Sequence, residues 1–413
     1  MFRIIVSVSL FALTMGFVVA QDDIRRGTVK ALDAEKGTVT ITVNGKDETF
    51  AFTPDTRVMS TDGKQVAKPF EEKELKVGAA VMFKSAAKGG KDVLVGLKLG
   101  GQPPAQPPLP KVDTSKLKPL SELGTEKYQN YEGGFYPGGK NERPKDHDAA
   151  GLALAKAIRP LGADGKPAAN GKVVMLSVGM SNTTQAFSTF KRIADADKEK
   201  HPDLVLVDGA QGGMTAARIK DPDDKGSGTK YWEVVDQRLK AAGVTREQVQ
   251  IAWIKQADAG PTQGFPKYAQ TLRDELRQIV RAMQIRFPNL KMVYLSSRTY
   301  GGYAKTGLNP EPYAYESGFS VKWLIEEQLK GDKELNFDPK KGAVNAPWLS
   351  WGPYLWANGT AKNADGLAYE ESDFTANDGT HPSPAGQKKV AEHMLKFFKA
   401  EPTAQPWFVK TKE

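Results

Sequence analysis

From Arg26 to about Leu99 apolar and polar positions alternate in short runs, with Val39, Ile41 and Val43 on one face, then Asn44-Gly45, then Phe50 and Phe52. Asn-Gly between alternating runs predicts a hairpin, because both residues tolerate the positive φ of a type I′ turn. Further strands are expected over 57–60, 79–84 and 93–99, parted by Asp62-Gly63 and Gly89-Gly90. The pattern predicts a small all-β module over 24–99, a five- or six-stranded barrel of the OB or SH3-like kind. Such barrels often hold nucleic acid or sugar. This one lacks a cluster of exposed aromatic residues, which favours a spacer or a docking role toward a cell-surface polymer.

Residues 100–117 form a proline-rich linker, extended because each ring fixes φ and removes a donor. A domain boundary belongs there, with the second domain over 118–413. Its first part, Lys118 to His147, is full of breakers such as Gly133-Gly134 and Pro137-Gly138-Gly139, and is expected to cover an edge of that domain.

The rhythm then changes to alternating strand and helix. Strands are expected at Val173–Val178, Leu204–Val207, Ile251–Ile254 and Met292–Leu295. Between them lie apolar stripes at helical spacing: Phe187, Phe190 and Ala194; Trp232, Val235, Leu239 and Ala242; Leu272, Leu276, Ile279 and Met283. A further helix is expected over Tyr313–Lys330, and the tryptophan-rich Pro347–Pro353 reads as irregular. The last helix has Ser383 as N-cap, Pro384 at its first position and Val390, Met394 and Phe397 as its stripe. The fold class is therefore α/β, a flavodoxin-like three-layer parallel sheet with helices on both faces, preceded by the small barrel.

Composition narrows the function classes. The chain has 413 residues, 39% hydrophobic and 26% charged, long enough for two or three globular domains. Residues 1–20 have the basic start, apolar middle and small-residue exit of a secretory signal peptide, which predicts export to the periplasm or beyond; a membrane anchor is the alternative. No later stretch is apolar and long enough to span a membrane. The chain contains no cysteine, so thiol chemistry and cysteine metal sites are excluded. The net charge of +9 comes without a block of like charges or basic-aromatic interleaving, which argues against a nucleic-acid module.

The candidate chemistry begins at Asp378-Gly379-Thr380-His381. An acid that close to a histidine can fix its tautomer, preparing it as general base toward a hydroxyl. In an open parallel sheet reactive groups gather beyond the carboxyl ends of the strands. After the first strand comes Gly179-Met180-Ser181-Asn182-Thr183-Thr184, where Ser181 lies near a helix start whose free N–H groups can receive an oxyanion. Ser181 is the candidate nucleophile; a plain helix cap is the alternative. Gly212 and Gly213 after the second strand would let backbone approach substrate, although a Gly-Gly turn taken alone reads more readily as a plain connecting loop. Gln256 after the third offers an amide donor, and Arg298 and Tyr300 after the fourth are candidate substrate contacts, with the fastening of a loop as the alternative for either. His201 and His393 read as surface residues, and His147, between Asp146 and Asp148, as a solvated capping residue rather than a metal ligand.

These residues resemble the SGNH hydrolases, also called GDSL-type esterases, over roughly Gly171 to Lys399. Ser181 matches that family's serine, Gly212 or Gly213 its glycine, and Asp378 and His381 its acid and base. Met180 stands where the family usually has Asp, and the family's Gly-x-Asn-Asp after the third strand is missing. Trp253 with Gln256-Ala257-Asp258 is similar instead to the Trp-x-Gln-Gly-Glu of the sialate and acetylxylan esterase branch. The resemblance implies a secreted serine esterase without cofactor or metal, its oxyanion held by the N–H of Ser181, the N–H of Gly212 and the Gln256 amide. It also implies a small-molecule or glycan ester as substrate, with carbohydrate O-deacetylation foremost. A non-catalytic glycan-binding protein and a lipid esterase are the competing readings.

Overall fold

The computed structural model describes residues 24–43, 46–88, 91–100 and 113–410. The proposed signal peptide, the Asn44-Gly45 and Gly89-Gly90 turns and most of the proline-rich linker lie outside them. The described residues form two compact units, divided between Gln106 and Pro107.

The first unit is all-β: β1 (Arg25–Asp33), β2 (Thr38–Val43), β3 (Lys46–Ala51), β4 (Arg57–Met59), β5 (Ala80–Lys88) and β6 (Lys91–Leu99). The sheet runs β3-β2-β1-β5-β6-β4, and a pairing of β3 with β6 closes it into a barrel. Alternation decides which side chains turn inward: Val39, Ile41, Val43 and Phe50 are buried with Val81, Phe83, Leu97 and Leu99. Gly27 is required by close approach, since a Cβ there would stand 2.5 Å from the Thr42 carbonyl oxygen.

The second unit opens with α1 (Leu120–Leu123), a small hairpin of β7 (Lys127–Tyr128) and β8 (Tyr131–Glu132), and α2 (Lys145–Ala157). Its central sheet contains β9 (Val173–Gly179), β10 (Leu204–Asp208), β11 (Val249–Lys255), β12 (Met292–Ser296) and β13 (Trp348–Trp351). The order is β10-β9-β11-β12-β13, and every pairing is parallel. β9, β11 and β12 are buried along their whole length, as strands covered on both faces must be. The covering helices are α3 (Ser181–Asp195), α4 (Ala216–Ile219), α5 (Gly228–Ala241), α6 (Lys267–Arg286), α7 (Tyr313–Leu329), α8 (Pro384–Ala400) and α9 (Gln405–Phe408). α3 packs on α8 and α8 on α9, whereas α6 packs on α7 and α4. This is the three-layer, flavodoxin-like arrangement read from the sequence. None of the described helices is long and apolar enough to cross a membrane.

Two sequence readings are corrected. Trp348–Trp351 is not irregular but the fifth strand, parallel to β12 and wholly buried. Its flanking prolines hid it, yet Pro347 and Pro353 stand just outside the strand, where the N–H groups they lack are not needed for its ladder. The stretch before His147 packs on this edge strand: Trp351 Nε1 donates to the Phe135 carbonyl at 2.8 Å, and Lys322 Nζ on α7 donates to the Gly133 carbonyl at 2.8 Å. His147 is not a solvated cap. It sits in the first turn of α2, buried, stacked on Trp348 and bonded through Nε2 to the Leu349 carbonyl at 2.8 Å.

Candidate active site

The carboxyl end of β9 turns sharply into α3, and Gly179 makes the turn possible. A Cβ there would lie 2.4 Å from both the Lys255 carbonyl oxygen and Thr183 Oγ1, so only glycine lets the turn press against β11. Thr183 Oγ1 then donates to that same carbonyl at 2.7 Å and fastens the first turn of α3 to the sheet. Ser181 is the first residue of the helix.

Asp378 and His381 come from the loop before α8, which is shaped by Gly379 at φ +63°. A Cβ on Gly379 would stand 1.8 Å from the Tyr303 carbonyl oxygen, closer than any side chain can be accommodated. The Asp378 carboxylate accepts from the N–H groups of Thr380 at 2.8 Å and His381 at 2.9 Å, and from Thr375 Oγ1 at 2.9 Å, all through Oδ1. Its Oδ2 accepts from His381 Nδ1 at 2.6 Å. Burial raises the Asp378 pKa, but the bonds from the His381 ring and from the two backbone N–H groups outweigh it and hold the carboxyl well below the usual range. A carboxylate on Nδ1 leaves Nε2 as the acceptor, and Ser181 Oγ donates to it at 2.7 Å. α8 itself starts where the sequence places it, with Ser383 Oγ accepting from the Gly386 N–H at 3.3 Å.

The loop after β10 reaches the same turn, since the Gln211 N–H donates to the Gly179 carbonyl at 3.0 Å. Gly212 and Gly213, both exposed, come directly after, and Gly213 has φ +71°. The other anticipated residues are placed differently from a substrate-facing set. Gln256 is buried, its Nε2 donating to the Met214 carbonyl at 2.9 Å and its Oε1 accepting from the Ala257 N–H at 3.0 Å. Arg298 is buried, and its Nη1 donates to Asn182 Oδ1 at 2.6 Å. Tyr300 is buried against Tyr303 and Trp356, its hydroxyl 3.2 Å from Thr114 Oγ1.

Sequence reasoning missed Lys255 and Asn182. Lys255 ends β11 fully buried, and its Nζ donates to the Asn182 carbonyl at 3.3 Å. Burial, with the Arg298 charge adding to it, drives the Lys255 pKa well below its ordinary value; burial also pulls Arg298 down to about 10, against the opposing pull of Tyr268 and Glu311. The signal for Asn182 was its place next to Ser181. The signal for Lys255 was a lysine closing an apolar strand.

A serine, histidine and aspartate in this order can move the serine proton to Nε2 while the carboxylate steadies the resulting imidazolium. No protein-family description matches the chain, and no curated protein does. Among solved structures the chain is similar to a lipase from a goat rumen metagenome, at 11% identity over 56% of this chain and 100% of that one, with a TM-score of 0.34. It is also similar to the periplasmic domain of a lipopolysaccharide acetyltransferase from Salmonella ser. Paratyphi A, at 14% identity over 55% and 84%, with a TM-score of 0.33. A third likeness is to apo-CusF from Escherichia coli, at 24% identity over 21% and 95%, with a TM-score of 0.15. The chemistry is therefore read from the site's own geometry.

Proposed function

We propose that the chain is an exported serine esterase of the SGNH type that hydrolyses carboxylic esters through an acyl-enzyme. The supporting observation is the unbroken relay from Asp378 through His381 to Ser181, at 2.6 and 2.7 Å. His381 Nε2 takes the Ser181 proton as Oγ bonds to the ester carbonyl carbon, and the carbonyl electron pair moves onto oxygen. Collapse breaks the bond to the alcohol, which leaves with the proton from His381. Water then repeats the sequence on the acyl-serine. The N–H groups of Ser181, at the start of the 15-residue helix α3, and of Gly212 receive the oxyanion. The substrate is an acetylated carbohydrate, and the N-terminal barrel serves for docking to a cell-surface polymer.

A non-catalytic glycan binder requires no working Ser-His pair, and the 2.7 Å bond favours the catalytic reading. Hydrolysis of a small acetyl ester by the purified protein and by Ser181→Ala tests it. Loss of turnover in the variant is expected; equal rates would sink the mechanism. A panel of acetylated glycans against simple acyl esters then tests the substrate class, with higher kcat/KM on glycans expected.

A further inference from the structure

The amide expected to complete the oxyanion site, Gln256, already gives one N–H to the Met214 carbonyl. Another amide lies next to the nucleophile. Asn182 is only 3% exposed, and its Oδ1 accepts from Arg298 Nη1 at 2.6 Å. A guanidinium has only donors, so it fixes the polarity of the amide: oxygen toward Arg298, Nδ2 away. That Nδ2 has no hydrogen-bond partner among the described residues, and it is not one of the sealed buried atoms left unpaired. A buried amide held this firmly, with a free donor that still borders accessible space, is costly unless something accepts from it.

The surroundings sharpen the point. Lys255 Nζ holds the Asn182 carbonyl, and Arg298 has no carboxylate within ion-pair distance among the described residues. Its Nε is a buried donor without a partner. Of these donors around Ser181, Asn182 Nδ2 is thus the one left both unpaired and unsealed, and such a donor favours an oxygen on which negative charge develops.

We infer that Asn182 Nδ2 supplies the third hydrogen bond to the oxyanion formed when Ser181 attacks the ester carbonyl, with Arg298 as the positioning residue that orients the amide. This rests on the Ser181 reading above. Asn182 thereby replaces the donor that the resemblance assigned to Gln256.

The test is steady-state hydrolysis of p-nitrophenyl acetate by the full chain and its Ser181→Ala, Asn182→Ala, Asn182→Asp, Arg298→Met and Arg298→Lys forms, each with its thermal midpoint. Loss of one oxyanion donor lowers kcat by about 10²–10³-fold, here with KM little changed. Asn182→Asp is the discriminating variant: it keeps an oxygen against Arg298 and places a carboxylate beside that cation, so its midpoint is at or above wild type while its kcat falls at least as far as that of Asn182→Ala. Arg298→Met is expected to lose about tenfold or more in kcat, and Arg298→Lys, which still offers a donor to Oδ1, to recover most of it. A purely structural Asn182 would instead be rescued by Asp. If Ser181→Ala is inactive while both Asn182 variants keep kcat within about threefold of wild type, this inference falls and the Ser181 reading stands. If Ser181→Ala hydrolyses as fast as wild type, the underlying reading falls and takes this one with it. Should the variants fail to fold, a crystal structure of wild type phosphonylated on Ser181 decides: Nδ2 about 3 Å from the phosphoryl oxygen is expected, and a separation beyond about 4 Å overturns the inference.

Discussion

Among the described residues two histidines pair with an acid, one just before α8 and one within it, and their surroundings differ. His381, just before the helix, has Asp378 on Nδ1 at 2.6 Å and the Ser181 hydroxyl on Nε2 at 2.7 Å. His393, within the helix, is not the surface residue the sequence suggested: its side chain is only 10% exposed, lies 3.9 Å from Asp365 and spends Nε2 on the Tyr354 carbonyl at 3.2 Å. It even borders a cavity of about 210 Å³, lined also by Lys396 and Phe397. Burial lowers the His393 pKa, partly offset by Asp365 and the Tyr354 carbonyl. An acid, an imidazole and a hollow do not make a site. What distinguishes the first pair is a hydroxyl on the second nitrogen.

The largest effect that would break this contrast is expected at the relay itself. Ser181→Ala and His381→Gln are each expected to lower kcat for an acetyl ester by at least about 10⁴-fold, whereas His393→Gln should stay within about twofold. Comparable losses at His393 would erase the distinction. Next comes the acid: Asp378→Asn inverts the tautomer His381 needs and should cost about 10²–10⁴-fold, while Asp365→Asn leaves the rate unchanged. Both are read from initial rates at neutral pH.

Smaller effects probe how the first pair is held. Gly379→Ala forces a Cβ onto the Tyr303 carbonyl at a φ of +63°, so either the fold loses about 2–4 kcal/mol or the Asp378 loop moves and kcat falls about tenfold. Denaturant melts together with rates separate the two. The smallest effect concerns His147, pushed down to about 4 chiefly by burial, against the Leu349 carbonyl bond that favours the charged ring. An unfolded histidine titrates near ~6.5, so between that pH and about 4 the unfolded chain takes up a proton the folded chain refuses. Its contribution is full above that window and is lost as pH falls through it. Urea midpoints at pH 7 and pH 4.5 should therefore differ less in His147→Gln than in wild type.

Much of the fold and the relay was legible in the chain. The runs that form β9 to β12 are short, apolar and bounded by turn residues, and Asp378, His381 and Ser181 stand where strand and helix ends are marked by Gly179, Gly379, Ser383 and Pro384. The features that were not legible depend on several distant segments meeting. The Asn182 amide takes its orientation from Arg298, 116 residues away, and Lys255 looks like any strand-ending lysine until α3 closes over it. β13 was hidden because tryptophans between prolines carry no period, and only burial between α7 and the covering 120–140 segment makes a strand of them.

The most direct measurement of the central claim is intact-mass and peptide mapping after treatment with a fluorophosphonate. One equivalent of label on Ser181 is expected, appearing in step with the loss of acetyl-ester hydrolysis, absent from Ser181→Ala and slowed by orders of magnitude in His381→Gln. Esterase activity that persists with Ser181 fully labelled, or a label that settles on another residue as activity disappears, would contradict it.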